Sequence, residues 1–163
     1  MESPVSAAAR SLYAIILSNS EVPMSFRANR ELLYEYIREV WQEGNPAAAT
    51  KFISPEYKRH ISPALPPLDP DGQIKRLTGF RAAFPDIEIT VEEVIVDDDR
   101  LAFRSVMRGT HQGEFLGIAP TGKKVTVGLV DVIHFKDGQF QEQWGGPDVF
   151  DLLRQLGAKW VPS

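Results

Sequence analysis

The chain has 163 residues, enough for one domain with a sizeable core, and with 43% hydrophobic and 25% charged residues it has the make-up of a globular rather than a disordered protein. Net charge is −4 and no Lys/Arg run exceeds a pair such as Lys123-Lys124, so there is no basic stripe to release counterions from a nucleic acid, and a nucleic-acid partner is excluded. The absence of cysteine removes disulfides, thiolate nucleophiles and cysteine zinc sites.

Residues 1–23 are Ala- and Ser-rich with one short apolar patch, Leu12, Ile15 and Ile16, and predict a weakly structured or short helical extension ahead of a domain over 24–163. The apolar run from Leu12 to Leu17 is too short to cross a bilayer and lacks a cleavage site, so a soluble, cytoplasmic protein with no membrane partner is expected. Over 29–43, Leu32, Leu33, Tyr36, Ile37, Val40 and Trp41 recur on one stripe of a 3.6-residue helix, with Asn29 as its cap and Gly44-Asn45-Pro46 as its stop. Asn45 then caps a short second helix with Pro46 at its first position, running to about Phe52. Ser54 to Tyr57 predicts a turn, and Tyr57 to Ser62 a short strand carrying His60. Pro63, Pro66, Pro67 and Pro70 predict a stiff loop. Asp69 or Asp71 caps a third helix with Ile74, Leu77, Phe80 and Phe84 inward, ended by Pro85.

From Ile87 the period changes to two. Ile87, Ile89 and Val91 alternate with Glu88, Thr90 and Glu92, and Val94 to Val96 extends the strand through a bulge near Glu93. A turn at 97–100 leads to a strand from Leu101 to about Phe115, and residues 117–123 form a loop. Strands Lys124–Phe135 and Gln139–Trp144 flank a turn at Lys136-Asp137-Gly138. A last helix carries Val149, Leu152, Leu153 and Leu156 on one stripe and closes at Gly157. Three helices followed by four antiparallel strands in meander order predict an α+β domain, its curved sheet wrapped around helices with an apolar pocket between them.

Gly117 to Lys124 resembles a phosphate loop, but Lys stands where Ser or Thr must hold magnesium and a strand follows in place of a helix, so a plain loop is expected. None of His60, His111 and His134 has another at helical spacing. Asp131 and His134, three apart on a strand, face opposite sides, so no metal site is expected. Period two places Asp131 with Val127, Leu129, Ile133 and Phe135 on one face. A carboxylate there must be paired, hydrogen-bonded or shifted up in pKa, as a general acid or base requires. The alternative is a structural Asp bonded to His60, Arg104 or a backbone amide. The other face, with Val130 and Val132, is also apolar, which predicts a homodimer packed through the sheet. Trp144 walls a pocket or belongs to the core, and Gln143, its neighbour, faces the other way. Asp148 reads most simply as a helix cap.

Over roughly residues 29–160 the chain resembles the SnoaL-like polyketide cyclases, or predicted ester cyclases, of the nuclear-transport-factor-2-like superfamily. The marks are Ile53-Ser-Pro-Glu-Tyr57 with His60, Phe84-Pro85-Asp86, Gly109-Thr-His-Gln-Gly-Glu-Phe115, Pro120-Thr-Gly-Lys123, Asp137-Gly138, Gln141-Glu-Gln-Trp144, and the tail from Pro147-Asp148 to Gly157. The resemblance implies a cone-shaped α+β barrel, usually oligomeric, with a hydrophobic pocket and no cofactor. Its best-known members close a ring by intramolecular aldol condensation, and relatives are hydroxylases, isomerases or epoxide hydrolases. Anthracycline-type members carry a catalytic Asp two residues before the Pro-Asp of the last helix, where this chain has Gly145. Limonene-type epoxide hydrolases need an Asp two residues from a strand Arg, and Arg104 has Ala102 and Val106 there.

The resulting expectation is acid–base chemistry on a small apolar ketone such as a polyketide, with Asp131 and His60 as catalytic residues. Trp144, Gln143, Trp41, Phe80, His111, Arg104 and Asp148 are expected to contact the substrate. No cofactor, metal or nucleotide is expected, and the assembly is a homodimer or larger. The second class is a non-catalytic carrier, distinguished by a pocket without convergent polar groups.

Overall fold

The computed structural model describes residues 24–158, so the extension expected at 1–23 lies outside the described residues. Helix α1, Met24–Tyr36, runs into a π-helical turn, Ile37–Gln42. It begins before Asn29, which is no cap: its side-chain amide donates to the Asp98 carbonyl at 3.2 Å. Leu33, Tyr36, Ile37 and Val40 are buried, as their spacing predicts. The short helix Pro46–Lys51 is a 3-10 helix, and Asn45 holds it through its backbone carbonyl rather than its side chain.

Strand β1, Ile53–His60, takes in the segment read as a turn. Pro55 is tolerated because β1 is an edge strand and its pairing shifts register between Ile53 and Lys58. Helix α2, Pro70–Ala83, is capped by Asp69, which accepts from the Gly72 amide at 2.7 Å. The meander follows as β2 (Glu88–Asp97), β3 (Arg100–Thr110), β4 (Lys124–Lys136) and β5 (Gln139–Pro147). Strand order is β1-β5-β4-β3-β2. The sheet is not wholly antiparallel, because β1 joins β5 in parallel. The chain leaves β1 through α2 and returns only after three further strands, so no hairpin sets its direction.

Along β4 burial alternates without a slip: Val125, Val127, Leu129, Asp131, Ile133 and Phe135 face the helices. Bulges in β2 and between His134 and Phe135 bend the sheet around them. Helix α3, Val149–Leu156, is capped by Asp148, which accepts from the Asp151 amide at 2.9 Å, and closes at Gly157 in the left-handed conformation. The fold is α+β, with one core between helices and sheet. Among the described residues no helix is long and apolar enough to cross a membrane.

Candidate active site

Three strands deliver the central group. β4 carries Asp131, β5 carries Gln143, and β1 carries Tyr57 and Arg59, all on the inner face and all buried. The Arg59 Nη2 pairs with Asp131 Oδ1 at 2.8 Å, and Gln143 Nε2 donates to the same oxygen at 3.0 Å. The Tyr57 hydroxyl donates to Gln143 Oε1 at 2.7 Å, which fixes the amide's orientation. Arg59 also donates to the Gly145 carbonyl at 2.9 Å. Arg59 and Gln143 thus converge on Oδ1 of the carboxylate.

Burial and charge set the protonation of the surroundings. Burial works against the Arg59 charge, but the Asp131 carboxylate and then Tyr57 outweigh it, and Arg59 titrates above its usual value. Burial pushes the Tyr36 and Tyr57 phenols up, so both remain neutral donors. Burial first and the Arg59 charge second push Arg76, on α2, down to about 10, which leaves it cationic at neutral pH.

These groups surround a small inner chamber. Its apolar wall includes Ile37, Trp41, Phe103 and Leu129, and its polar wall Arg59, Gln73, Arg76, Ser105, Asp131 and Gln143. As it stands, it has room for about one or two waters. The pocket is therefore not purely apolar as expected. Among the described residues, three buried polar atoms of this wall, Arg59 Nε, Gln73 Oε1 and Ser105 Oγ, have no hydrogen-bond partner. Outside lies an open cleft of about 1100 Å³ between Phe80, Phe115, Leu116 and the Gly145–Pro147 backbone. Among the described residues, Arg76 alone lines both spaces.

The structure brings Asp131, Gln143 and Trp41 into the chamber and Phe80 into the cleft, the Trp41 and Phe80 rings meeting edge to face at 6.0 Å. Five other residues fall elsewhere. His60 points to the outer face, where its ring stacks on Trp144 at 4.7 Å and its Nε2 lies 3.6 Å from Glu142, so it does not serve Asp131. Strand alternation explains this: Tyr57 and Arg59 face in, hence His60 faces out. Trp144 faces out for the same reason, opposite to Gln143. Arg104 is exposed on the outer face and pairs with Glu92 and Glu93. His111 is fully buried away from the chamber against Phe84, its Nδ1 accepting from the Thr121 amide at 3.2 Å. Asp148 spends its carboxylate on the cap.

Arg59, Arg76, Gln73, Ser105 and Tyr57 complete the site without having been singled out. Parity with the apolar face of β1 points to Arg59. The spacing Gln73, Arg76, Leu77, Phe80 puts Arg76 on the inner stripe of α2. Gly145 sits directly across from Asp131 in the β4–β5 register. A Cβ there would meet the Val130 carbonyl oxygen at 2.0 Å, so the carboxylate that anthracycline-type cyclases carry at this position has no room.

A family model described as SnoaL-like polyketide cyclase matches residues 31–156. Aklanonic acid methyl ester cyclase AcmA of Streptomyces galilaeus is 29% identical over 125 residues, which cover 75% of this chain and 86% of AcmA. The crystal structure of AclR, a proposed hydroxylase of Streptomyces galilaeus, superposes with a TM-score of 0.75 at 30% identity, covering 85% of this chain and 87% of that one. A proposed SnoaL-like polyketide cyclase of Jannaschia sp. CCS1 superposes with a TM-score of 0.78, covering 87% of this chain and 100% of that one, and at 22% identity the likeness is one of fold. With the helix-wrapped sheet and its inner chamber, these matches place the chain in the SnoaL-like polyketide cyclase family.

Proposed function

We propose that this enzyme closes a ring in an apolar, ketone-bearing metabolite by intramolecular aldol chemistry, using acid–base groups of the chain without a cofactor. The observation that carries the reading is a buried carboxylate, Asp131, on the chamber wall, held through Oδ1 by Arg59 and Gln143. The Asp131 carboxylate removes a proton from the carbon beside the ketone, and the C–H electron pair becomes that of an enolate. That carbon attacks a second carbonyl of the same molecule. A C–C bond forms, the carbonyl π bond breaks, and the new alkoxide takes the proton back from Asp131. Substrate and product are isomers, so no further reactant is needed.

Arg59 takes the part expected of His60, orienting the carboxylate and offering its unpartnered Nε to the developing oxyanion. Ser105 and the neutral Tyr36 hydroxyl are further donors on the same wall. The chamber is narrow, so the rings of a polycyclic substrate would rest in the outer cleft with only the reacting ketone inside. Aklanonic acid methyl ester, the compound in AcmA's name, is the first substrate to assay. Asp131→Asn is expected to lower turnover by about a hundred- to ten-thousand-fold per folded molecule while the ester still binds. Circular dichroism at the assay temperature supplies the folded fraction. Turnover within a few-fold of the parent removes Asp131 from the chemistry.

A further inference from the structure

Arg76 stands where the chamber meets the cleft, and it is charged without a counter-ion. Among the described residues its guanidinium makes no hydrogen bond and no ion pair. Its one defined contact is the face of Phe80, with Cζ 4.9 Å from the ring centre. The chamber wall holds two guanidinium groups and one carboxylate, and that carboxylate is committed to Arg59. Lys75 and Glu114, the other charged groups lining the cleft, offset one another.

The two cations are close. At Gly146 the backbone φ is +137°, and a Cβ there would lie 3.2 Å from Arg59 Nη2 and 3.6 Å from Arg76 Nη2. The two nitrogens are therefore under about 7 Å apart, beside a stretch of backbone that the missing side chain leaves bare. Two guanidinium groups held so near each other in a partly desolvated wall repel, and an anion between them reverses that cost. Burial and the Arg59 charge already push Arg76 down to about 10, the direction that an unanswered cation produces.

We propose that the ligand is an acid: Arg76, with Arg59 behind it, binds a carboxylate on the otherwise apolar ketone and fixes which end of the molecule enters the chamber. Planar guanidinium groups recognise a carboxylate through paired, charge-assisted hydrogen bonds. A carboxylate held beside Gly146, at the mouth between the two guanidinium groups, leaves the chamber itself to the reacting ketone. AcmA is named for a methyl ester, in which that charge is masked, so Arg76 would give this chain a different substrate preference. The inference rests on the chamber being the substrate site, and it adds the substrate's charge.

The test compares anthraquinone-2-carboxylate with its methyl ester, two probes that share rings and ketones and differ by one charge. Titrations followed by protein fluorescence are expected to show the acid binding about tenfold tighter or more, as one charge-assisted contact allows. Arg76→Met keeps the length and the packing on Phe80. It should abolish that preference while the ester's affinity stays within about twofold of the parent's. Arg76→Lys should restore part of the preference. Because Arg76 has no partner to strand, the methionine variant should melt at or above the parent temperature. Equal affinity for the two probes, a preference that survives Arg76→Met, or binding of neither by folded protein overturns the proposal. Asp131→Asn separates it from the catalytic reading. That variant should bind the acid at least as well as the parent, so lost turnover with retained acid preference supports both ideas. Full turnover with retained preference leaves Arg76 standing and the base assignment fallen.

Discussion

At Gly145 the backbone φ is +101°, in the region L side chains avoid, and the Val130 carbonyl closes the space a Cβ would need. Restoring the carboxylate of the anthracycline-type cyclases by Gly145→Asp is therefore expected to destabilise the fold by about 2 kcal/mol or more and to add no activity. A urea melt and a turnover assay check both halves. Asp131, one strand across, poses the opposite problem, since it is accommodated only as half of a buried pair. Arg59→Met strands the carboxylate and should cost about 3–5 kcal/mol, whereas the double change with Asp131→Asn should recover most of that loss. Equal losses in the single and double variants would mean that the pair is not coupled. These two residues also show what a sequence displays and hides. Asp131 was legible because β4 keeps an unbroken period of two for thirteen residues. Arg59 was not, because Lys58-Arg59-His60 looks like a solvated strip until β5 and β4 are known to lie beside β1. His60, the more familiar catalytic residue type, drew the assignment one position too far, and one position in a strand is the other face.

Elements differ in the same way. The meander and α2 follow from local patterning and turn residues, so their order and facing were readable. The π-helical turn at Ile37–Gln42 was not: it inserts extra backbone within a stripe whose apolar spacing still looks α-helical, and it brings Trp41 to the chamber wall. The parallel seat of β1 depends on contacts across the whole chain. One element junction carries a pH prediction. After α2, Asp86 accepts from both the amide and the hydroxyl of Thr110 at 2.6 Å, tying the helix exit to the end of β3. The Thr110 hydroxyl first and its amide second hold this carboxyl below the ordinary Asp value. A depressed folded pKa means stability that is present above the unfolded value near 3.8 and is lost as pH falls through the folded one. Asp86→Asn should lower the melting temperature slightly at pH 7 and flatten its decline below about pH 4. The site is exposed, so the effect is small. Parallel curves for variant and parent would show that the clamp carries no linkage.

For the whole molecule, the open question is what covers the sheet's outer face. Ile95, Ala102, Val132, Trp144 and His60 lie in one row across all five strands, by the pairing of β2 with β3, β3 with β4, β4 with β5 and β5 with β1. Val130 and Ile95 are 58% and 63% exposed, and Val132 adjoins them. Arg100, Arg104 with its two glutamates, Lys58 and Glu142 supply a charged margin. An apolar centre inside a polar rim is the anatomy of a protein interface, and a lone chain would leave these side chains in water. A second copy of the chain packed through this face is the occupant we propose, as the two-sided apolar pattern of β4 led us to expect. Light scattering at micromolar concentration should then return about twice the 18.2 kDa chain mass. Val132→Glu sets a charge at the middle of the row and should return the monomer. Because Val132 points away from the chamber, the acid preference that tests Arg76 should be intact in that variant. A parent chain that is itself monomeric, or a Val132→Glu variant that still dimerises, would place the contact elsewhere or nowhere on this sheet.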